Sequence, residues 1–515
     1  MADSRELEAL ARLQDCGAAQ PAETLEQLFG IFTFLEQSET QALALIQYVH
    51  DPKKPPVIPL GGDLEFGFIL HWIDYPPAEI LHWIDSDKGL RDAYEVLKVI
   101  TPRTRITPAA YAQLIAELGD YGEPWTDGTL YGEKFQYQQL DPRWMLAALN
   151  YVINLIDPKG IHPFPANAPA TIALTRKDGD TTKDPVLGIV GDWGTGYFRD
   201  EDPNVHCPAQ RVMEQITNPR LSPAIDYLIH LGDVYYAGTN GERLAPNEEL
   251  ANFYDRWPNQ GARRNFTLNS NHEMYGAGLG YFDIALQSNG PFAAQNGMSY
   301  FALTYDGWVV LCLDSAYYSD AYNGDKFYME GAIAGRLTQQ QQQIDWVRQF
   351  WNYQGNIMVM THHNGCDTLS AEVNALYDQV VEALRGRQPH LWYWGHVHNA
   401  IVYNQLKGAN GPYRTKGRCC GHGAVPFGNA WGFDVGGAPD ANILYYAHTP
   451  DPDLPDTSGP DPANPRVRNG YALVTLHKNG GATEAFYETG VSLPVWTQTW
   501  TTEELEGGGV CAKPA

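Results

Sequence analysis

The chain has 515 residues, enough for two or three domains and a sizeable core, and its 43% hydrophobic content excludes a disordered protein. The 35 Lys and Arg stand against 61 Asp and Glu, and the net charge of −26 repels phosphate backbones and anionic lipid, so we expect no nucleic-acid partner and no membrane partner. Seven cysteines give no disulfide framework.

The first third of the chain predicts helices, because its apolar residues recur at spacings of three and four. These helices cover 5–13, 22–37, 40–50, 93–100, 108–118 and 142–155. Thr107 and Asp141 each precede a proline, which predicts an N-cap followed by proline in the first helical position. The start lacks the apolar stretch of a secretion signal, so we expect a cytoplasmic protein. We predict a helical domain over 1–165 that covers or restricts a site, and a proline-rich linker over 166–183.

From residue 184 the pattern changes to short β-rich runs between helical segments, which predicts an α/β domain over 184–495, followed by a C-terminal tail over 496–515. Five of the apolar runs end in polar residues that can bind metals. These ends are Gly191-Asp192, Gly232-Asp233, Asn269 to Glu273, Thr361 to His363 and Gly395 to His398. Ligands bind beyond the carboxyl ends of strands in α/β sheets, so we expect the five ends to meet at one place.

The residue types at these ends are those of a metal centre. Two Asp, one Asn, three His and one Tyr supply seven hard or borderline ligands, with no Cys among them. Any one of these motifs alone is weak, since an Asp after a strand is commonly a helix cap or a turn residue. Together they favour two divalent or trivalent cations a few ångströms apart over a structural zinc site.

The order and spacing of these motifs resemble the calcineurin-like metallophosphoesterases, and within them the purple acid phosphatases. The family pattern GDxG, GDxxY, GNH[DE], VxxH, GHxH stands here as GDWG (191–194), GDVYY (232–236), SNHE (270–273), VMTH (359–362) and GHVH (395–398). Ser270 replaces the usual glycine, which is a backbone position rather than a ligand. The resemblance covers about 184–490 and implies a four-layer α/β/β/α sandwich, with the N-terminal helical domain outside it.

The resemblance also implies a ligand set with Asp233 bridging two metals. Asp192, Asp233, Tyr236 and His398 would hold the first metal, and Asp233, Asn271, His362 and His396 the second. In most relatives outside the purple subfamily the first motif carries a histidine ligand; Gly194 stands there, and Tyr236 restores the ligand count. A phenolate favours a trivalent ion, so we expect Fe(III) paired with Fe(II), Zn(II) or Mn(II).

The implied activity is hydrolysis of a small phosphomonoester by a hydroxide generated at the metals, with His272 assisting the leaving group. Glu273 could orient the His272 imidazole. Asn271, His363 and His422 are further candidates for substrate contacts, although His363 is as readily a packing residue, and Tyr235 should point to the opposite face and pack.

Two other functions stay open. The first is a phosphodiesterase of the cyclic-nucleotide type on the same fold. The second is a metal-binding scaffold whose site is blocked by the helical domain and whose role is partner recognition.

Overall fold

The structure is a computed structural model, and it describes residues 4–50, 66–117, 137, 140–157, 160–197, 207–242, 247–261, 263–324, 326–409, 411–425, 433, 440–451 and 467–507. The Pro/Asp-rich stretch 452–466 and the last eight residues lie outside this part of the chain.

The predicted helices of the first third are present, although 22–37 and 40–50 form one long helix, and the structure adds two helices that were not predicted, at Ile69–Asp74 and Ala78–Ser86. The helices are α1 (Ser4–Asp15), α2 (Pro21–His50), α3 (Ile69–Asp74), α4 (Ala78–Ser86), α5 (Lys88–Ile100), α6 (Pro108–Glu117), α7 (Trp144–Ile156), α8 (Pro208–Thr217), α9 (Asn271–Tyr275), α10 (Ser319–Asn323), α11 (Gln342–Val347), α12 (Ala375–Ala383) and α13 (Thr502–Glu506). Shorter helical turns cover Glu249–Tyr254, Tyr281–Ala285, Ala293–Gln295, Thr338–Gln340 and Arg348–Phe350.

The two predicted N-caps behave differently. Thr107 Oγ1 accepts a hydrogen bond from the backbone N–H of Ala110 at 3.2 Å, as a cap of α6 should. Helix α7, in contrast, begins only at Trp144, and the carboxylate of Asp141 accepts instead from the backbone N–H of Arg143 and from the hydroxyl of Tyr236. Asp141 therefore links the helical segment to the loop that follows Asp233.

The strands begin where the chain turns β-rich. They are β1 (Thr171–Ala173), β2 (Val186–Val190), β3 (Tyr227–His230), β4 (Asn265–Thr267), β5 (Phe301–Tyr305), β6 (Trp308–Cys312), β7 (Asn356–Met360), β8 (Leu391–Trp394), β9 (Ala400–Tyr403), β10 (Lys407–Gly408), β11 (Gly411–Pro412), β12 (Lys416–Cys420), β13 (Ile443–Tyr446), β14 (Gly470–Leu476), β15 (Ala482–Glu488) and β16 (Trp496–Trp500).

These strands form two large sheets and one small ribbon. The eight-stranded sheet has the order β1-β5-β6-β7-β8-β12-β9-β13, and the six-stranded sheet has the order β16-β15-β14-β2-β3-β4. Strands β2, β3 and β4 run parallel in the six-stranded sheet, and β6, β7 and β8 run parallel in the eight-stranded one. The five motif-bearing strands are thus divided between the sheets, three and two, and each group presents its carboxyl ends along one edge.

The alternation of side chains along the strands produces the layers. Leu187 and Ile189 of β2 point into the core between the sheets, where they join Val310 of β6. Val309 and Leu311 of β6 point the other way and pack against α11 and α12. The outer face of the six-stranded sheet is covered by α8. The predicted four-layer α/β/β/α sandwich is confirmed.

The N-terminal helices share a hydrophobic core with the outer face of the six-stranded sheet. One cluster of buried side chains runs from α1 and α2 through Trp144 of α7 to Tyr235, Tyr275 and Tyr471. The domain boundaries at 165, 183 and 495 stay predictions. Among the described residues, we find no helix that combines the length and the apolar character needed to cross a bilayer.

Candidate metal centre

The carboxyl ends of five strands meet between the two sheets. Asp192 follows β2, Asp233 follows β3 and Asn271 opens α9 just after β4, while His362 follows β7 and His396 and His398 follow β8. All six side chains are buried, and the most exposed, His396, shows 8% of its surface. The expected convergence of the strand ends is therefore present in the structure.

Three of these side chains form a first cluster. The donor atoms of Asp192, Asp233 and His398 all lie within 4.8 Å of one another. His398 Nε2 is 3.5 Å from Asp192 Oδ1 and 3.9 Å from Asp233 Oδ2. The other oxygen of Asp192 accepts from the backbone N–H of His396 at 3.0 Å, which fixes the orientation of the carboxylate. Asp192 Oδ1 and Asp233 Oδ1 are buried without a hydrogen-bond donor.

A second cluster brings together lone pairs that need a cation. His362 Nδ1 donates to the carbonyl oxygen of Leu231 at 2.9 Å, so Nε2 carries no proton in the neutral ring. That nitrogen lies 2.8 Å from Asn271 Oδ1 and 3.1 Å from Asp233 Oδ1, both of which are acceptors. Asn271 Nδ2 donates to Tyr275 Oη, which turns its oxygen inward. Three mutually facing acceptors repel one another unless a positive ion lies between them, so this donor set fits a metal.

The electrostatics of the buried groups agree with this reading. Burial raises the pKa of Asp192, and the negative charge of Asp233 raises it further. Burial acts in the same direction on Asp233, but the positive charge that His272 and His362 carry when protonated holds the pKa of that carboxyl well below its usual range. Burial lowers the pKa of His362 and His396 to about 3, which keeps both rings neutral, the form in which histidine binds metals.

Two glycines leave the space that the proposed ligand side chains need to come close together. A Cβ at Gly395 would lie 2.5 Å from Asp192 Oδ2, and a Cβ at Gly232 would lie 2.8 Å from His362 Nδ1. Gly232 also has a φ of +104°, which a side chain disfavours. The glycines of the GDxxY and GHxH motifs thus make room for the ligand side chains.

The two tyrosines after Asp233 are arranged differently from our expectation. Tyr235 Oη donates to Asp233 Oδ2 at 2.9 Å and lies 3.1 Å from His398 Nε2, so it stands in the first cluster. The expectation that Tyr235 packs on the opposite face is wrong. The hydroxyl of Tyr236 instead donates to Asp141 Oδ2 at 2.6 Å, beside the buried Arg143, and burial raises its pKa well above the usual value. Tyr236 is the one expected ligand that the structure does not bring to the cluster.

His272 lies beside the cluster, but a different group orients it. Its Nδ1 donates to the carbonyl oxygen of Tyr236 at 2.7 Å, which points Nε2 toward Asp233 Oδ2, 3.8 Å away. The carboxyl of Glu273 accepts from the hydroxyl of Ser270. Burial and the charge of Asp233 raise the pKa of Glu273 to about 8. The role that we expected of Glu273, to orient the His272 ring, is taken by a backbone carbonyl.

The two softer candidates for substrate contact, His363 and His422, are both buried. Both ring nitrogens of His363 are engaged, with Nδ1 2.9 Å from Ser315 Oγ and Nε2 donating to the carbonyl oxygen of Tyr328 at 2.7 Å. His422 is 1% exposed, and its ring packs beside Phe486 of β15 and close to Gly470 of β14. His363 nevertheless lies beside the cluster, since one of its ring nitrogens is within 4.8 Å of ligand atoms of His362 and His396, and its ring is 4.8 Å from that of His396.

Two aromatic residues of the helical segment, which the sequence did not single out, cover the metal cluster. Phe66 and Trp144 line a small cavity of about 10 Å³ together with His272, His396 and His398. The indole of Trp144 lies 5.5 Å from the His272 ring, centroid to centroid. A second, open cavity of about 510 Å³ begins at His396 and extends outward along α2.

The sequence of this region matches a known family. Residues 186–400, which span β2 to the start of β9 and carry all five motifs, match the calcineurin-like phosphoesterase family model. Residues 186–400 carry the sequence pattern of a calcineurin-like phosphoesterase domain. The resemblance seen in the sequence is thereby confirmed at the level of this family, whose members are hydrolases of phosphate esters and whose fold implies two metal ions.

Three solved structures are similar to the chain, each at 12% sequence identity. GAP50, the anchor in the inner membrane complex of Plasmodium, has a TM-score of 0.41 over 62% of this chain and 89% of its own. A purple acid phosphatase from yellow lupin (Lupinus luteus) seeds has a TM-score of 0.38 over 64% and 57%. A dimetal phosphatase from Danio rerio has a TM-score of 0.35 over 62% and 99%. No curated protein sequence matches the chain significantly.

Proposed function

We propose that the protein is a phosphomonoesterase with a dinuclear, iron-containing centre of the purple acid phosphatase kind. The observation that carries the proposal is the position of His362 Nε2, which lies 2.8 Å from Asn271 Oδ1 and 3.1 Å from Asp233 Oδ1, beside the Asp192–His398 cluster. Asp233 has one oxygen toward each cluster, which is the arrangement that a bridging ligand requires.

The first metal would be held by Asp192, Asp233 and His398, with a tyrosine oxygen, and the second by Asp233, Asn271, His362 and His396. Two cations there would neutralise a phosphate group, orient it and activate water as the nucleophile. The chain's own part is to exclude solvent with Phe66 and Trp144 and to hold His272 Nε2 within reach of the leaving oxygen. The ester P–O bond breaks, and water supplies a hydroxyl to phosphorus and a proton to the departing alcohol.

The enclosure over the cluster leaves little room for any phosphate ester. The cavity there is about 10 Å³, the space of about one water molecule, and its walls include two large aromatic rings, so monoester and diester alike enter only if these rings move. The same closure is the one observation that favours the blocked-scaffold alternative. Activity separates the two, because a scaffold with a blocked site hydrolyses nothing.

The experiment is to purify the protein from iron-supplied cells, measure its metal content and compare turnover of p-nitrophenyl phosphate with that of bis(p-nitrophenyl) phosphate. We expect two metal ions per chain and a preference for the monoester. Asn271→Ala should lower monoester turnover by more than about 100-fold, since even residues that only support metal ligands cost about 10- to 100-fold. Asn352→Ala, a surface asparagine, is the control.

Circular dichroism should show both variants folded. A metal-free protein with full activity, or an Asn271→Ala variant with wild-type turnover, contradicts the dinuclear centre. A protein that contains two metals yet turns over neither ester supports the scaffold instead.

A further inference from the structure

We propose that the 510 Å³ cavity beside the metal cluster binds the leaving group of the substrate, and that this group is uncharged and rich in hydroxyls, as in a phosphorylated sugar or polyol. The inference rests on the proposed phosphomonoesterase function and deepens it. The cavity opens at His396, which also lines the small cavity over the metals, so an ester whose phosphate lies on the cluster can extend into it.

The size of the cavity fits a leaving group much larger than a nitrophenyl ring. Its volume of about 510 Å³ is within the range of about 300–1,000 Å³ usual for small-molecule sites. One wall is a face of α2 formed by Gly30, Thr33, Phe34 and Gln37, at the three- and four-residue spacing of a single helix face. Thr33 and Gln37 are exposed; Thr33 Oγ1 donates to the carbonyl oxygen of Phe29 at 3.0 Å and can still accept from a ligand, and the amide of Gln37 can donate and accept.

The polar groups around the cavity are mostly neutral hydroxyls and amides. Thr33 and Gln37 face Asn364 and Thr368 from the phosphoesterase domain. Side chains of these types donate and accept at once, which suits hydroxyl groups that do the same. A ligand with several hydroxyls can therefore bond to both walls.

The charged residues of the lining argue against an anionic leaving group. Lys326 is the basic side chain among the described lining residues, and its ammonium lies 2.7 Å from the carboxylate of Glu330, which lines the same cavity. The pair cancels its own charge, and a second phosphate on the substrate would have to displace Glu330. A sugar or polyol carrying one phosphate avoids that cost.

A nucleobase fits less well, because its stacking partner is already engaged. Phe34 is the aromatic residue among the described lining, and its ring packs 5.8 Å from Phe66 and 5.5 Å from Phe327. A base would have only the remaining face of one ring. Hydroxyl recognition by Thr33 and Gln37 is thus favoured over base recognition.

The test compares glucose 6-phosphate, adenosine monophosphate and p-nitrophenyl phosphate on the metal-loaded full chain. We expect kcat/KM to be highest for glucose 6-phosphate. Gln37→Ala and Thr33→Val should each lower the ratio of kcat/KM for glucose 6-phosphate to that for p-nitrophenyl phosphate by about three- to tenfold, the effect of one lost hydrogen bond. Gln27→Ala, an exposed glutamine on α2 outside the cavity lining, is the matched control and should keep the wild-type ratio.

A binding measurement gives a readout independent of turnover. Saturation-transfer NMR with free glucose should show contact with the wild type and with Gln27→Ala, and a weaker signal with Gln37→Ala. Hydrolysis of p-nitrophenyl phosphate with an unchanged ratio in Gln37→Ala overturns the cavity assignment alone. A higher kcat/KM for adenosine monophosphate than for glucose 6-phosphate overturns the assignment of a sugar or polyol leaving group. Absence of hydrolysis of all three esters contradicts the proposed function, and this inference with it.

Discussion

Tyr235 and Tyr236 are neighbours in the chain, yet their hydroxyl groups have separate partners. Tyr235 Oη lies between Asp233 and His398, at 2.9 Å and 3.1 Å. Tyr236 Oη is bound by Asp141, and its ring stacks on that of Tyr137 at 4.7 Å. If a phenolate completes the first metal site, the structure favours Tyr235 as its source, whereas the sequence motif favours Tyr236.

The pair of variants Tyr235→Phe and Tyr236→Phe decides between them. A tyrosinate bound to Fe(III) gives a visible charge-transfer band, so we expect Tyr235→Phe to abolish the band in the iron-loaded protein and Tyr236→Phe to keep it. Tyr236→Phe should cost about 1 kcal/mol of stability through the lost hydrogen bond to Asp141. Visible absorption and denaturant unfolding measure the two effects. The reverse pattern of absorption would return the assignment to Tyr236.

The sequence predicted the ligand residues at the strand ends but not the arrangement of these tyrosines, for a local reason. Our expectation extended the alternation of strand β3 through Tyr235. The strand ends at His230, and Asp233 has a φ of +81°, so the alternation stops before the tyrosines. The orientation of His272 by the carbonyl of Tyr236 was equally hidden, because a backbone acceptor has no signature in the residue types.

Among the elements, β12 and β15 are joined across the core between the sheets by a buried ion pair. The guanidinium of Arg418 donates to both oxygens of Glu484 at 2.9 Å, and neither side chain is exposed. Trp500 of β16 donates to the same carboxylate at 2.7 Å. When both side chains of the ion pair are present, the pair fixes the position of one sheet over the other. When one of them is removed, the other is left as an unpaired buried charge.

Arg418→Met should therefore destabilise the protein by about 3–5 kcal/mol, because Glu484 is left uncompensated. The double variant Arg418→Met with Glu484→Leu should recover most of that loss. Arg348→Met is the control, since it breaks an exposed pair with Asp345 and should change stability by less than about 1 kcal/mol. Urea unfolding followed by fluorescence measures all three. A double variant as unstable as Arg418→Met would contradict this account.

The sequence predicts most of the strands and helices, but it does not predict which strands pair with one another. The apolar runs that end before Asp192 and His396 coincide with β2 and β8. Which runs share a sheet depends on contacts between distant residues, such as Leu187 with Tyr227. The motif strands therefore appeared equivalent, although they belong to two different sheets.

In the whole molecule, the helical first third and the phosphoesterase domain are one packed body. Buried side chains of α2, α5 and α7 belong to the same apolar cluster as Val190 of β2 and Tyr235. Polar links cross the same boundary, with Tyr236 bound to Asp141 and the backbone N–H of His162 donating to the carbonyl of Ala277. The sequence does not predict that Phe66 and Trp144 cover the metal cluster, because no local pattern distinguishes an apolar residue that faces a site from one that faces the core.

We accordingly expect a single unfolding transition for the full chain, in spite of its length. Scanning calorimetry should give one peak whose calorimetric and van't Hoff enthalpies agree. Asp141→Ala, which removes a link across the boundary, should lower the midpoint of that one peak without splitting it. Two resolved peaks for the wild type would show that the helical third folds as an independent unit.

Trp144 lies over His272, so a substitution there affects both the stability of the fold and the access of substrates to the site. Because it is 1% exposed and sits in the shared core, any smaller side chain that widens access to the phosphate position also leaves a void that costs about 3–5 kcal/mol. Laboratory evolution toward bulkier esters is therefore expected to stall at this position. It should proceed once compensating stabilising substitutions have been accumulated elsewhere.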